Sequence, residues 1–506
     1  MPPALDEHPL VELSSLVDPR AARSPAAQQA IVSITATLRG LLRGEHWPLP
    51  FQIPGLAFCA LAKDRALIAD DQGLGKTTIA LLRILLGDHF PALIVAPASV
   101  SRKWRREAGW WMPGVPVLML EGERTALPSK WPGIVIVTWD LLPYHVEALT
   151  ALGPRIVIGD EVQKANNAEA GRTGAFDTLA TLAPHLLLLS GTPITNGAQE
   201  LWRLLNLLDP RAWPELTAAA FKDLNKDDFQ PGVQSVVTRR IRQFMLRRLK
   251  EQAMPGLKRK QVEILQVDLP PETLRQYNRI EERFAQWLRV KIGREVEAEG
   301  YDRDSDEWAE EVEDRLTAPL SAEALAKVNH LRKLVGRGKI PFAVRWIADM
   351  VRGGEPVVAF IHHKPVMLAV AAELRKAGIT VGVYDGGLSA RKREAMEGDF
   401  QGGAIDVILC SMAAEAGITL TRGRYVLLIE RWWTARTEDQ MVDRLHRIGQ
   451  LRDVKVFKLC AKGTLDERFE VVTTKKRGIS ARTIDAGQAV KSTSRAPGVD
   501  ARARVR

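Results

Sequence analysis

The sequence predicts an α/β protein of two lobes, each a parallel sheet flanked by helices, with helical insertions between them. Three observations carry this reading. A chain of 506 residues is too long for one compact core, so two large domains plus insertions are expected. Short apolar, β-branched runs alternate with helical stretches in two separate blocks, as βαβ units require. The longest apolar runs are strand-length, which excludes a membrane-spanning helix.

Residues 1–45 read as an N-terminal extension with Ala-rich helical character and no motif. The start MPPALDEHPLVELSS has no basic segment leading into an apolar core, so no signal peptide is expected. The first lobe follows over 46–210. RALIAD (65–70), ALIVAP (92–97), VPVLML (115–120), GIVIVT (133–138), RIVIGD (155–160) and HLLLLS (185–190) read as its buried parallel strands. Over 211–335 the alternation stops, and the stretch reads as helical insertions and linker with segregated charge. TRRIRQFMLRRLK (238–250) and LKRK (257–260) are basic, whereas 295–314 is acidic and reads as a solvated face. The second lobe spans 336–480, with strands PVVAFIH (356–362), ITVGVYD (379–385), IDVILCS (405–411), RYVLLIE (424–430) and DVKVFKL (453–459). Residues 481–506 read as a basic, disordered tail.

The formal charge is +10, from 71 Lys+Arg against 61 Asp+Glu. That balance favours a polyanionic partner through counterion release. The three cysteines are far apart and form no Cys-x-x-Cys pair, so a disulfide framework or zinc site is not expected and a reducing interior is.

ADDQGLGKTT (69–78) lies directly between a strand and a helix, the context a phosphate-binding loop needs. Gly73 and Gly75 let backbone N–H groups approach phosphate oxygens. Lys76 reaches the β and γ phosphates, and the Thr77 hydroxyl can ligate Mg²⁺. Asp70 stands where the strict motif wants Gly. IVIGDEVQ (156–163) ends a strand in two carboxylates at the same sheet edge. Asp160 is placed to hold Mg²⁺, and Glu161 to orient and deprotonate the attacking water. LLLLSGT (186–192) brings Ser190 and Thr192 to that edge, either as a relay of nucleotide state or as a simple strand-to-helix turn. EDQMVDRLHRIGQ (438–450) reads as a helix with Arg444 and Arg447 on one face. A guanidinium from a facing lobe can stabilise charge developing on a γ-phosphate, an effect of about 10³–10⁵ in rate. From spacing alone, a solvated basic face explains them as well.

In this order the motifs resemble those of helicase superfamily two and, within it, the Swi/Snf family of ATP-dependent DNA translocases, over about 48–475. DDQGLGKT matches the family's motif I, Asp70 included. FQIPGLAF (51–58) resembles its Q motif, and IVAPASVSRKWRREA (94–108) resembles motif Ia with Trp104 and Glu107 in register. VTWDLL, DEVQKANN, LSGTPITNGAQELWRLLNLLDP, FMLRRLKEQAMPGLKRK and the run from Cys410 through RIGQ resemble further family elements. AKVNHLRKLVGRGKI and AFIHHK are similar to the fork-remodelling, strand-annealing branch.

The resemblance implies two RecA-like P-loop lobes and DNA-dependent ATP hydrolysis coupled to movement on duplex or forked DNA, in remodelling, repair, replication or recombination. A strand-separating helicase and a catalytically weak DNA-binding scaffold are the alternatives. ATP contacts fall on Gln52 (against adenine), Asp70, Gly73, Leu74, Gly75, Lys76, Thr77, Thr78 and Gln450, with Mg²⁺ on Thr77 and Asp160. Sequence-independent DNA contacts fall on Ser99, Arg102, Lys103, Thr138 and Trp139 in the first lobe. In the second they fall on His363, Lys364, Ser411 and Gly417. The adjacent His362 and His363 read as structural rather than metal-ligating. A monomer without membrane contact is expected, cytoplasmic and nucleoid-associated in a prokaryote or virus and nuclear in a eukaryote. Gln163 stands where the family usually has His, which implies looser coupling between the lobes. Arg422 and Gly423 replace the usual small residues of motif V.

Overall fold

Alternation along each strand explains how both faces of both sheets are buried. The structure is a computed structural model that describes residues 25–42, 46–165, 171–191, 198–212, 241–299, 322–411, 418–431 and 435–467. Helices α1 (Pro25–Leu41) and α2 (Gln52–Leu61) precede β1 (Arg65–Ile68). Then come α3 (Lys76–Gly87), β2 (Ala92–Ala96), α4 (Ala98–Trp111), β3 (Val117–Leu120), β4 (Ile134–Thr138) and α5 (Leu142–Leu152). The lobe continues with β5 (Ile156–Asp160), α6 (Gly171–Leu182), β6 (His185–Leu189), α7 (Ala198–Leu208) and β7 (Met245–Leu246). All pairings are parallel, in the order β3-β4-β2-β5-β6-β1-β7.

Leu67, Leu93, Val95, Val135, Val157 and Leu188 point to the face covered by Leu149, Phe176, Leu179 and Leu204. Their neighbours Ile68, Ala92, Ile94, Ile136, Ile158 and Leu189 point to the opposite face, under Leu38, Phe58, Leu82 and Trp104. A period of two with both faces apolar leaves near-continuous hydrophobic runs, which is why every first-lobe strand read from the sequence is found. Helix α1 packs Ala27, Ile34 and Leu38 into this core, so the described end of the N-terminal extension is part of the first lobe.

A short helix α8 (Lys250–Ala253) leads out of the first lobe, and the second contains β8 (Lys260–Val267), α9 (Pro271–Ala298), α10 (Ala322–Gly338) and α11 (Ile340–Arg352). It goes on through β9 (Val357–Phe360), α12 (Lys364–Lys376), β10 (Val381–Tyr384) and α13 (Ala390–Gly402). Strand β11 (Val407–Cys410), β12 (Tyr425–Leu428), α14 (Ala435–Val442) and β13 (Val454–Ala461) complete it. Its sheet is also wholly parallel, in the order β10-β11-β9-β12-β13-β8. Val357, Ala359, Leu409 and Leu427 face α11 and α12, while Val358, Phe360, Ile408 and Val426 face Phe400, Met441 and Leu445.

One sequence expectation is corrected. The stretch 211–335 is not helical throughout: Met245–Leu246 adds an edge to the first sheet beside β1, and Lys260–Val267 adds an edge to the second beside β13. Strand β8 is mostly exposed and carries Lys260, Gln261, Glu263 and Gln266, so its conformation comes from pairing with β13 rather than from an apolar pattern. The chain therefore enters the second sheet at Lys260. Residues Thr192–Asn196, most of the acidic stretch and the C-terminal tail lie outside the described residues.

Candidate active site between the lobes

Parallel strands deliver their C-terminal ends to one edge, and in the first lobe that edge gathers the chemistry. After Ile68 the chain turns through 69–75 into α3. Gly73 and Gly75 take φ of +85° and +75°, a region glycine enters without strain. A Cβ on Gly75 would lie 2.4 Å from Gln52 Nε2, and one on Gly73 would lie 3.2 Å from Arg447 Cβ, so both also permit close approach. Lys76 Nζ donates to the carbonyls of Asp70 (2.7 Å) and Asp71 (3.3 Å). Burial holds its pKa below the usual lysine value, against the opposing pull of Glu161, Asp70 and Asp160.

Asp160 ends β5, one strand pairing away from Leu189, and Ser190 and Gly191 follow. Two indoles fix it. Trp104 Nε1 donates to Asp160 Oδ2 and Trp139 Nε1 donates to the Asp160 carbonyl, each at 2.8 Å. Burial, then the neighbouring Glu161, pushes the Asp160 carboxyl up to about 6, while Trp104, Lys76 and Lys103 act the other way. Glu161 adopts φ +51°, left-handed backbone that a non-glycine residue occupies at an energetic cost and that is concentrated at functional sites. Gln163 Nε2 donates to Glu161 Oε2, and Gln163 Oε1 accepts from Ser190 Oγ at 2.7 Å. The departure from His at this position thus still links the acid pair to the strand-end serine within the first lobe.

The second lobe completes the cleft. Thr419, Asp443, Arg444, Arg447 and Ile448 line the same cavity as Lys76, Thr77, Thr78, Asp160 and Glu161, with a volume of about 380 Å³. Arg447 Nη1 donates to Thr419 Oγ1 at 3.1 Å, and burial lowers its pKa against Glu107, Glu397 and Asp443. Arg444 and Arg447 are therefore cleft residues and not a solvated face. The described lining carries four cations (Lys76, Lys103, Arg444, Arg447) and four carboxylates (Glu107, Asp160, Glu161, Asp443). A polyphosphate answers the first group and a divalent cation the second. Trp47, Leu49 and Trp111 add apolar and aromatic surface to the lining, of a kind suited to a flat base.

Several sequence assignments move. Asp70 is fully buried behind the loop, where Arg248 Nε and Nη2 grip it at 3.0 and 2.5 Å, so its side chain is no nucleotide contact. Leu74 is buried outside the lining. Gln52 does line the cleft, but its amide donates to the Leu74 carbonyl (3.2 Å) and accepts from Leu49 N–H (2.8 Å), bracing the loop. Gln450 is buried in the second lobe, donating to the carbonyls of Thr421 (3.1 Å), Gly423 (3.0 Å) and Leu445 (3.3 Å), and is absent from the lining.

Trp139 is 1% exposed and packs on Phe176 at 4.9 Å, so it is a support for Asp160 rather than a DNA contact. Helical spacing moves Lys103 as well: Val100, Lys103, Trp104, Glu107 and Trp111 form the cleft face of α4, leaving Ser99 and Arg102 exposed on the other side. Burial and then Arg447 depress the Lys103 pKa. Thr138 is half-buried at the end of β4. In the second lobe His363 Nδ1 pairs with Glu430 Oε1 at 2.5 Å, and the backbone N–H groups of His362 and His363 both donate to Glu430 Oε2 at 2.8 Å. His363 is thus held as a structural group. Lys364 is exposed and meets Asp385 at 2.6 Å; Ser411 is half-buried after β11; Gly417 lies outside the described residues. Arg422 caps the turn after α13, donating to the carbonyls of Phe400 (3.0 Å) and Ile405 (2.7 Å).

Sequence reasoning placed Trp104 in a family motif and gave Trp139 a DNA contact, so it missed both as supports of Asp160, and it gave no role to Trp47 and Trp111. The helical repeat of Trp104, Glu107 and Trp111 carried a signal; Trp139 did not, because the end of a strand does not reveal the side to which a side chain turns.

Two parallel-sheet lobes with a phosphate loop, an acid pair and facing arginines define a two-lobed P-loop nucleotide-binding protein. Residues 51–334 match the SNF2-related domain and 338–449 the helicase conserved C-terminal domain, and the chain belongs to the SNF2-related family. It is 28% identical over 446 residues to the SWI/SNF-related matrix-associated actin-dependent regulator of chromatin subfamily A-like protein 1 of Bos taurus, covering 83% of this chain and 43% of the relative. It is 24% identical over 464 residues to the DNA annealing helicase and endonuclease ZRANB3 of Mus musculus, covering 86% and 41%. The chain spans less than half the length of these relatives. Among solved structures it is similar to the Sulfolobus solfataricus SWI2/SNF2 ATPase core in complex with dsDNA, with 22% identity, a TM-score of 0.41 and coverage of 88% and 95%.

Proposed function

We propose that this protein hydrolyses ATP in the cleft between its lobes and couples the cycle to movement along duplex DNA. The observation that carries the reading is the shared lining: Lys76, Asp160 and Glu161 from one lobe face Arg444 and Arg447 from the other. Hydrolysis at such a seam rewards closure, because positive charge reaches the γ-phosphate only when the lobes approach. Lys76 is the phosphate ligand of the loop. Glu161 orients the attacking water and takes its proton, and Arg444 and Arg447 stabilise the charge that develops in the transition state.

The site fits Mg²⁺. The Thr77 hydroxyl and Asp160 carboxylate are hard oxygen donors, and a half-buried carboxyl pair with Asp160 pushed up to about 6 is relieved by a nearby cation. Bound there, the ion would draw charge from the phosphate oxygens.

The DNA track is assigned to the C-terminal edges of both sheets, with Ser99, Arg102 and Thr138 on one lobe and Lys364 and Ser411 on the other. Phosphate contacts of this kind give salt-sensitive, sequence-independent binding. The name of the ZRANB3 relative, a DNA annealing helicase, supports DNA as the partner. The test is phosphate release with duplex, single-stranded and forked DNA, alongside strand separation on the fork. Stimulation by duplex without separation is expected; hydrolysis indifferent to every DNA would overturn the reading.

A further inference from the structure

The arginine-bearing turn is joined to the phosphate loop through a third element, the run Arg247–Lys250. Strand β7 pairs with β1 at Ile68–Leu246, and the ladder continues beyond it: Ala69 N–H donates to the Leu246 carbonyl (2.7 Å) and Asp71 N–H to the Arg248 carbonyl (3.0 Å). Side chains reinforce this seam. Arg248 grips Asp70, and Arg247 Nη1 meets Asp71 Oδ1 at 2.9 Å and the carbonyls of Ala69 (2.8 Å) and Gly191 (3.2 Å). The backbone N–H of Lys250 donates to the other Asp71 oxygen at 3.1 Å.

From this platform the Lys250 side chain crosses to the second lobe. Its Nζ lies 2.5 Å from Asp443 Oδ1 and donates to the His446 carbonyl at 2.7 Å. Those two groups bracket 443–446, so one ammonium holds both ends of the segment that carries Arg444 and runs directly into Arg447. The pair is largely withdrawn from water, with side-chain exposures of 7% and 14%. Lys250 Cε also lies 3.6 Å from the position of a Cβ on Gly73, beside Arg447. A largely buried ion pair has an asymmetric property: removing one partner leaves an uncompensated charge, so breaking it is strongly disfavoured.

We infer that Lys250, through Asp443 and the His446 carbonyl, is the positioning residue that sets Arg444 and Arg447 against the phosphate loop, making Arg247–Lys250 a strap between the two halves of the site. Asp70 and Asp71 then act as the strap's anchor in the first lobe. The inference rests on the proposed hydrolysis at the seam and adds the group that locates its arginines.

The experiment measures DNA-stimulated hydrolysis for Lys250→Met, Asp443→Asn, Lys250→Arg and Arg447→Ala, with Lys250→Met also made in the Arg447→Ala background. Lys250→Met and Asp443→Asn are expected to lower kcat at least about tenfold while KM for ATP stays within about threefold, and Lys250→Arg to recover most of the loss. Because Lys250 acts through the arginines, Lys250→Met should add less than about twofold to the defect of Arg447→Ala. A wild-type kcat in both Lys250→Met and Asp443→Asn would overturn the strap, as would losses that multiply in the double variant. Should Lys250→Met fail to fold, Asp443→Asn, in the wild-type and Arg447→Ala backgrounds, decides by the same criteria. A wild-type kcat in Arg447→Ala would instead sink the seam chemistry itself.

Discussion

The two walls of the cleft are held in place by different means. In the first lobe the proposed catalytic groups are fixed locally: Lys76 is bound by carbonyls of its own loop, and Asp160 is clasped by two buried indoles of the same lobe. In the second lobe the arginines depend on Thr419 and on a lysine that arrives from 193 residues earlier in the chain, counting from Lys250 to Asp443. One wall is held by contacts within its own lobe, and the other by contacts that include one from Lys250 across the lobes. The proposed coupling of hydrolysis to movement needs such a difference, because a site completed by a second lobe responds to the position of that lobe.

Breaking the second-lobe wall should give the largest effect. Arg447→Ala is expected to lower kcat by about 10³–10⁵ with little change in nucleotide affinity, since the guanidinium acts mainly on the transition state. Steady-state hydrolysis together with titration of a fluorescent ATP analogue checks it; a parallel collapse of nucleotide binding would place Arg447 in ground-state recognition instead. On the fixed wall, Glu161→Gln removes the base and keeps the shape. A loss of about 10²–10⁴ is expected, with DNA affinity unchanged in a gel-shift titration. A wild-type hydrolysis rate in the presence of duplex DNA would show that another group accepts the proton.

Trp104 is the outer support of the fixed wall. Trp104→Phe keeps the packing in the core and deletes one N–H donor to Asp160, which supports the carboxylate from behind. Loss of such outer support typically costs about 10–100-fold in metal affinity or activity. The half-saturating Mg²⁺ concentration for hydrolysis should therefore rise by about that factor and the maximal rate should recover at high Mg²⁺. An unchanged Mg²⁺ profile would mean that Asp160 needs no indole to orient it.

What was legible in the sequence follows the same division. Strands buried on both faces are continuous apolar runs, so the eleven runs quoted above as strands all form. The two strands that escaped, Met245–Leu246 and Lys260–Val267, are edges, one only two residues long and the other polar and exposed, and both owe their form to partners remote in the chain. At the site, Lys76, Asp160 and Glu161 could be read because their chemistry follows from neighbours in sequence. Lys103, Trp139, Asp70 and Gln450 were misassigned for one shared reason. A motif places a residue at a sheet edge, but only packing decides whether its side chain turns to the cleft, the surface or the core. Spacing alone could not tell Arg444 and Arg447 from a solvated face; the order of the motifs pointed them to the cleft, and the fold sets both in one lining with Lys76.

The smallest expected effect concerns the energetic consequence of how the first wall is held. Asp160 is held up to about 6 against 3.8 for an ordinary aspartate, by burial and by Glu161. At pH 4 and below, the carboxyl is largely protonated in the folded state and the site carries little penalty. As pH rises from about 4 to 6 the unfolded chain loses its proton first, so the folded state loses stability across that window and stays penalised above it. At about 1.4 kcal/mol per pKa unit the penalty is on the order of 1–3 kcal/mol in the metal- and nucleotide-free protein. Asp160→Asn retains an acceptor for Trp104 and removes the charge. It should raise the melting temperature by a few degrees at pH 7.5, with no gain at pH 4, while abolishing hydrolysis. Calorimetry at the two pH values checks the sign. A variant no more stable than wild type at pH 7.5 would mean that the buried carboxylate is already compensated by Lys76 and Lys103, and that the first wall is held at no cost to the fold.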